Sequence, residues 1–268
     1  MFGSRRRPES PLPQAWLVAA CLILLPACTS GAHPQAGPSP SEGPAGAKIT
    51  SITATPVNAE EIDLQWVASG NASAYNIRRD GTYLSVVQGT SFKDTRLKPK
   101  QTYTYEVSVQ DPQGHDAPGT SVTATTPKSP PLSKARLSGS YGVRLVFTAE
   151  NYSNRRAGNK YSELWKLKPK CPSGACSALL VTNVRGSKAG VLVPKGGTYS
   201  GKVTDTLDTC QGKHYPETVT ITLYVTRASF LKGEWTATTF SGTTSNYAPA
   251  AGGCVSSSSK SSMSGKRL

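Results

Sequence analysis

Residues 218–228 read TVTITLYVTRA, and few patterns leave a chain less choice. Val219, Ile221, Leu223 and Val225 alternate with Thr218, Thr220, Thr222, Tyr224 and Thr226. A period of two sends successive side chains to opposite faces of an extended strand, so one face meets a core and the other meets water. Weaker versions recur along the chain: Ile62, Leu64 and Trp66; Tyr75 and Ile77; Tyr103, Tyr105, Val107 and Val109; Val122 and Ala124. Later come Leu145 and Phe147, Leu164 and Leu167 around Trp165, residues 179–184, residues 191–193, and Trp235 with Phe240. No stretch carries a helical period of useful length. The expected class is all-β, with glycines and Asp80-Gly81 supplying tight turns between antiparallel strands.

The 268 residues suffice for two ordinary domains. A stiff connector, residues 127–132, contains Pro127, Pro130 and Pro131 and separates a first β domain at 47–126 from a second at 133–255. About seven short strands fit the first, which is sandwich spacing. Seven or eight antiparallel strands fit the second, as a sandwich or a closed barrel; lipocalin-like and jelly-roll topologies both suit the periodicity. Residues 28–46 are rich in Pro, Gly, Ser and Ala and read as a flexible tether, because such a stretch cannot repay its ordering entropy. The Ser-rich end, 256–268, reads as a flexible tail for the same reason.

Ahead of the tether, Arg5, Arg6 and Arg7 precede the apolar run QAWLVAACLILLPAC at residues 14–28. A basic segment followed by about a dozen apolar residues has the proportions of a signal peptide, at 1–27, and is short for a membrane span. Leu25, Pro26, Ala27 and Cys28 resemble the bacterial lipobox, although Pro26 departs from the usual residue two before the cysteine. The resemblance implies that Cys28 is acylated, becomes the new N-terminus, and holds the chain in membrane lipid on the extracytoplasmic side.

The segments EIDLQW, AYNIRRDG and FKDTRLKPKQTYTYEVSVQDPQG make the first domain resemble a fibronectin type III domain. The most specific element is Leu97-x-Pro99-x-x-x-Tyr103. The resemblance implies that Trp66 and Leu97 lie in the core and that the Tyr103 hydroxyl bonds to nearby backbone at a strand corner. In the second domain, YSELWKLKPKCPSGAC, GGTYSGK, Cys210, GEWTATTFSGT and a final cysteine look like a domain of actinobacterial secreted proteins and lipoproteins. That likeness implies an extracytoplasmic β domain without assigning an activity.

Four cysteines follow the signal, Cys171, Cys176, Cys210 and Cys254. An even number in an exported chain suggests two disulfides. Three pairings exist; Cys171 with Cys176 makes the natural short loop, leaving Cys210 for Cys254. A four-thiolate zinc site is the rival, but C-x4-C is not the usual knuckle spacing and the compartment is oxidising. No metal or cofactor is expected.

Chemistry is sparse. His33 lies in the tether, and His115 and His214 lie in glycine-containing connections. No G-x-S-x-G elbow or H-E-x-x-H helix occurs, and neither Ser200 nor Thr209 sits in a nucleophile motif. Asp205, Asp208, Glu217 and Glu234 could supply a carboxylate pair for glycan hydrolysis, or could simply be solvated. Trp165, Tyr199, Trp235 and Tyr247 are candidate ligand contacts if they line a cleft. The net charge of +14 favours anionic surfaces, and export argues against nucleic acid as the partner. The expected function is non-catalytic: a membrane-anchored module that binds or displays an envelope polymer, a small ligand or a protein. A glycan-acting hydrolase and a purely structural spacer are the alternatives.

Overall fold

The computed structural model describes residues 46–268 except 71, 73, 111–115, 151–155 and 183–188, with side chains at 150, 205–210, 213 and 214 also left aside. The signal, Cys28 and nearly all of the tether lie outside the described residues, as does His115. The expected all-β class is what the structure shows: fifteen strands and one short 3-10 turn among the described residues.

The first domain contains β1 (Lys48–Asn58), β2 (Glu61–Ser69), β3 (Ala74–Arg79), β4 (Thr82–Val87), β5 (Ser91–Thr95), β6 (Thr102–Gln110) and β7 (Thr120–Thr125). They make a three-stranded sheet, β1-β2-β5, and a four-stranded sheet, β4-β3-β6-β7. This three-plus-four sandwich has fibronectin type III character. The inward residues of both sheets, Ile62, Leu64, Trp66, Tyr75, Ile77, Tyr105 and Val107 among them, form one core. Tyr103 is buried, and its hydroxyl accepts the Lys98 amide at 2.8 Å. Asp94 is the buried carboxylate of this core. It accepts two bonds from Arg79, at 3.0 and 2.8 Å, and one from the Tyr105 hydroxyl at 2.8 Å. Because Asp94 is on β5 and its partners are on β3 and β6, the network ties the two sheets together. Burial opposes the Arg79 charge, but the bond to Asp94 and its negative field outweigh it and raise the guanidinium above its ordinary value. Burial, reinforced by Asp94, also pushes the Tyr105 phenol up.

The second domain is a barrel. Its strands are β8 (Gly139–Glu150), β9 (Lys160–Pro169), β10 (Ala178–Thr182), β11 (Ala189–Lys195), β12 (Thr198–Cys210), β13 (Lys213–Leu231), β14 (Glu234–Ala248) and β15 (Ser257–Arg267). Each pairs antiparallel with its sequence neighbour, and β15 returns to pair with β8. The result is an up-and-down closed barrel, and it resolves the choice that periodicity left open. Closure removes every edge of this sheet. Eight strands leave a bore that side chains can fill.

The expectation of a flexible tail is overturned. Residues 257–267 are the closing strand, bonded to β14 along one edge and to β8 along the other. Ser259, Ser261 and Met263 point inward and are buried, while Ser258, Lys260, Ser262 and Ser264 point outward. The alternation was present but carried by serines, whose hydroxyls blur the contrast between faces. Gly265 has a packing reason, since a β-carbon there would sit 2.1 Å from the Phe240 ring.

The bore divides along its length. Toward one end it is filled by Tyr141, Trp165, Leu167, Leu180, Tyr199, Leu223 and Phe240. The segment just before β8, Ala135 and Leu137, plugs that end, with the Arg136 amide donating to the Trp235 carbonyl and the Ala237 amide to the Arg136 carbonyl. Toward the other end the inward residues turn polar: Glu163, Thr182, Glu217, Thr244, Asn246, Ser259 and Ser261 are all buried.

Candidate binding site

The expected ligand-binding aromatics do not form a cleft. Trp165 is 1% exposed and its indole N–H donates to Glu163 Oε2 at 2.6 Å. Tyr199 is 2% exposed, and its hydroxyl donates to the Ala135 carbonyl at 2.9 Å. Trp235 is buried at the plugged end and donates to the Pro131 carbonyl at 3.2 Å. These three are therefore corrected from ligand contacts to core residues. Each has inward parity on its strand and spends its polar atom on an internal acceptor, which is how buried Tyr and Trp are satisfied. Burial raises the Tyr199 phenol, as it does that of Tyr141, because a buried phenolate would lose its hydration. Tyr247 alone of the four is open, at 54% exposure on the outer wall.

The candidate carboxylates are also scattered. Glu217 is buried beside the register pair Thr218–Tyr247, whereas Glu234 stands at the opposite end of β14, paired with Leu231. The intervening strand is on the order of 40 Å long at about 3.3 Å per residue, against the roughly 5–10 Å that glycoside hydrolysis requires. The side chains of Asp205, Asp208 and His214 lie outside those described. Cys171 and Cys176 are joined in a disulfide. Cys254 is disulfide-bonded as well, while the Cys210 side chain is outside those described. Among the described residues no group of His, Cys, Asp and Glu could hold a metal ion.

A different feature emerges from strand parity. Of the acidic residues with described side chains on the barrel strands, Glu163 and Glu217 point inward and Glu234 sits at the β13–β14 hairpin. Apart from Arg267, which shares the inward parity of Met263 and Gly265, the basic residues with described side chains point outward. On the adjacent strands β15, β8 and β9 they are Lys260, Lys266, Arg144, Lys160, Lys166 and Lys168, all exposed. The register places Arg144 between Ser264 and Ser162, Lys266 opposite Gly142, and Lys160 opposite Val146. Arg144, Lys266 and Lys160 are therefore never directly opposed. Arg144 is instead the diagonal neighbour of each of the other two, about 7–8 Å away at the backbone, while Lys266 and Lys160 lie on either side of β8.

On the next part of the wall the outward residues are hydroxyls. Ser200, Thr222, Thr243 and Ser262 form one continuous cross-strand row, and Lys202, Thr220, Ser245 and Lys260 form the row beside it. Exposed Tyr224 and Tyr247 flank the rows on β13 and β14. The wall thus offers fixed cations, hydrogen-bonding hydroxyls and two aromatic faces, with no described outward carboxylate among them.

No family model matches the sequence. A stretch of 120 residues is 29% identical to a poly(3-hydroxybutyrate) depolymerase of Ralstonia pickettii; it covers 44% of this chain and 22% of that enzyme. The chain therefore spans about a fifth of that relative's length. Among solved structures, FN3tt matches at 22% identity and a TM-score of 0.26, over 32% of this chain and 95% of its own. The central fibronectin-III array of RIM-binding protein matches at 9% identity and a TM-score of 0.28, over 82% of this chain and 97% of its own. The fibronectin reading rests on the sheet order.

The sequence carries the sorting of charge between faces but not the wall itself. Once a segment is known to be a strand, alternation sorts its lysines outward and its glutamates inward. Inspection of charge runs misses this, because the cations are spread over strands distant in the chain.

Proposed function

We propose that the protein is a non-catalytic, lipid-anchored extracytoplasmic module that binds an anionic envelope polymer along the outer wall of its barrel. The observation that supports this is the sorting of charge across the wall, described strand cations outward except Arg267 and the described strand carboxylates inward or at the base. Such a surface holds a positive potential that a flexible polyanion neutralises with release of counterions, so binding should weaken steeply with salt. Tyr224 and Tyr247 add apolar faces for sugar rings. The fibronectin-like domain and the tether set the barrel away from the membrane to which acylated Cys28 would hold it.

The test is retention on an immobilised polyuronate and on a polyglycerol phosphate, with dextran as the neutral control. Combined Arg144→Ala, Lys160→Ala and Lys266→Ala should cut affinity about tenfold or more while leaving Tm within a few degrees, since exposed substitutions rarely change stability much. Undiminished retention by that variant sinks the proposal. Palmitate labelling tests the anchor independently, and persistence of label in Cys28→Ser would remove it. The partial likeness to a depolymerase motivates one control. Turnover of polyester or glycan that is lost on Glu234→Gln would replace the binding reading with a hydrolytic one.

A further inference from the structure

The first domain and the barrel meet at a groove of about 920 Å³, the size of a small-molecule site. Its cations are Arg96, Arg136, Lys232 and Arg267, and its carboxylates are Glu60, Glu61 and Glu234. All three carboxylates are already engaged. Glu61 accepts from Lys93 and from the Asn58 side-chain amide. Glu60 Oε2 accepts the Ser229 hydroxyl and the Phe230 amide, which fastens the first domain to the barrel. Glu234 accepts the Gly174 amide at 3.3 Å and stands 3.6 Å from Arg136. Arg136 also donates to the Cys171 and Pro172 carbonyls. Arg96 and Lys232, by contrast, have no ion pair among the described residues. One comes from each domain, and both are exposed.

These two cations also share an unfavourable backbone. Arg96 has φ of 63° and Lys232 has φ of 53°, the left-handed region that crowds a β-carbon and is tolerated best by Gly, Asn and Asp. Lys232-Gly233 is a two-residue hairpin turn with both φ values positive, like Asp80-Gly81. At the latter the first residue suits its place, and Asp80 Oδ1 accepts the Thr104 amide at 2.8 Å. Lys232 has no such local bond among the described residues. The turn gains nothing from a lysine, and the loop after β5 gains nothing from an arginine. Lys100 and Gln211 share this backbone away from the groove. What sets Arg96 and Lys232 apart is that both line one groove with no ion pair among the described residues. Strained backbone at a groove is a feature of ligand clamps.

We propose that the groove is a site for a small doubly charged anion, a phosphate ester or a dicarboxylate, clamped between Arg96 of the first domain and Lys232 of the second. Of the remaining lining cations, Arg136 is shared with Glu234, and Arg267 adds positive potential. This site is separate from the polymer-binding wall.

The experiment is isothermal titration of the full chain and its single variants Arg96→Asn and Lys232→Asn, using glycerol 1-phosphate, inorganic phosphate and succinate. Asparagine suits the left-handed backbone, so each variant should melt at the same temperature or higher. Each should also bind the preferred dianion at least tenfold more weakly. Which of the three probes binds best identifies a phosphate or a carboxylate source. Absence of binding by all three overturns the proposal, as does undiminished affinity in both variants. A fall in Tm together with lost binding also overturns it, because it would make the cations structural. The outer-wall triple variant should keep full dianion affinity, so this site and the polymer-binding wall fail separately.

Discussion

The two domains solve the same problem, how to bury a β core that contains polar atoms, in opposite ways. The sandwich admits one buried carboxylate and satisfies it completely: Asp94 has Arg79 and the Tyr105 hydroxyl. Its polar atoms without a partner among the described residues, Trp66 Nε1 and Asn76 Oδ1, are single atoms of side chains that are otherwise packed or bonded. The barrel admits a whole polar end to its bore, and there two hydroxyls, Thr182 Oγ and Thr244 Oγ, are buried without a hydrogen-bond partner among the described residues. Thr182 is on β10 and Thr244 on β14, four strands apart either way around the ring, so they lie on opposite walls. The sandwich is thus held by a specific polar tie between sheets. The barrel is held by closure and by its apolar half.

The largest test of that contrast is removal of residues 256–268. Without β15, the edges of β14 and β8 are left unpaired and the buried Met263 is lost, so closure fails. Calorimetry of the truncated chain should show the barrel's unfolding transition abolished and a transition for the sandwich retained. Persistence of both transitions would mean that the barrel does not depend on its last strand.

How far the sequence anticipated this differs between the domains for a physical reason. In the sandwich, inward residues are large and apolar, as with Ile62, Leu64 and Trp66, and turn chemistry is explicit at Asp80-Gly81. Periodicity therefore exposes both strands and core. In the barrel, TVTITLYVTRA is equally plain, yet β15 alternates serine with serine and lysine. Burial there is decided by the neighbours: Thr244 opposite Ser261 and Asn246 opposite Ser259 make a polar interior legible only after the register is known. Aromatics mislead for a related reason. Trp165, Tyr199 and Trp235 carry polar atoms that suit a ligand or an internal acceptor equally well, and only the fold supplies the acceptor. The wall of outward cations cannot be read along the chain, because it joins β8 and β9 to β15 and needs the closing register to bring them side by side.

A smaller effect than truncation is expected from Asp94→Asn. It removes the charge that partners Arg79 while leaving the guanidinium in place. Asp94 is buried but the Arg79 side chain is 30% exposed, so the loss should be about 1.5–3 kcal/mol, the range for hydrogen bonds to a charged group. The sandwich transition should move down by about 10 °C while the barrel transition stays put. A shift of only a degree or two would show that water takes over the role of Asp94, and the contrast between a tied sandwich and a closed barrel would weaken.

The smallest expected effect has the opposite sign. Thr244→Val replaces a buried hydroxyl that has no partner among the described residues by a methyl of similar size. A buried hydroxyl without a partner costs about 1–3 kcal/mol, so its removal should stabilise the barrel by about 1 kcal/mol. Thr236 is the control, equally buried but donating to the Glu234 carbonyl at 3.0 Å. Thr236→Val should instead cost about 1 kcal/mol, the net value of an ordinary internal hydrogen bond. Chemical denaturation of the two variants separates them by the direction of the midpoint shift. If both lose stability alike, the Thr244 hydroxyl is satisfied by an internal water. The polar end of the bore would then be a hydrated network as complete as the one around Asp94, and the two domains would differ in the partner they use rather than in whether they have one.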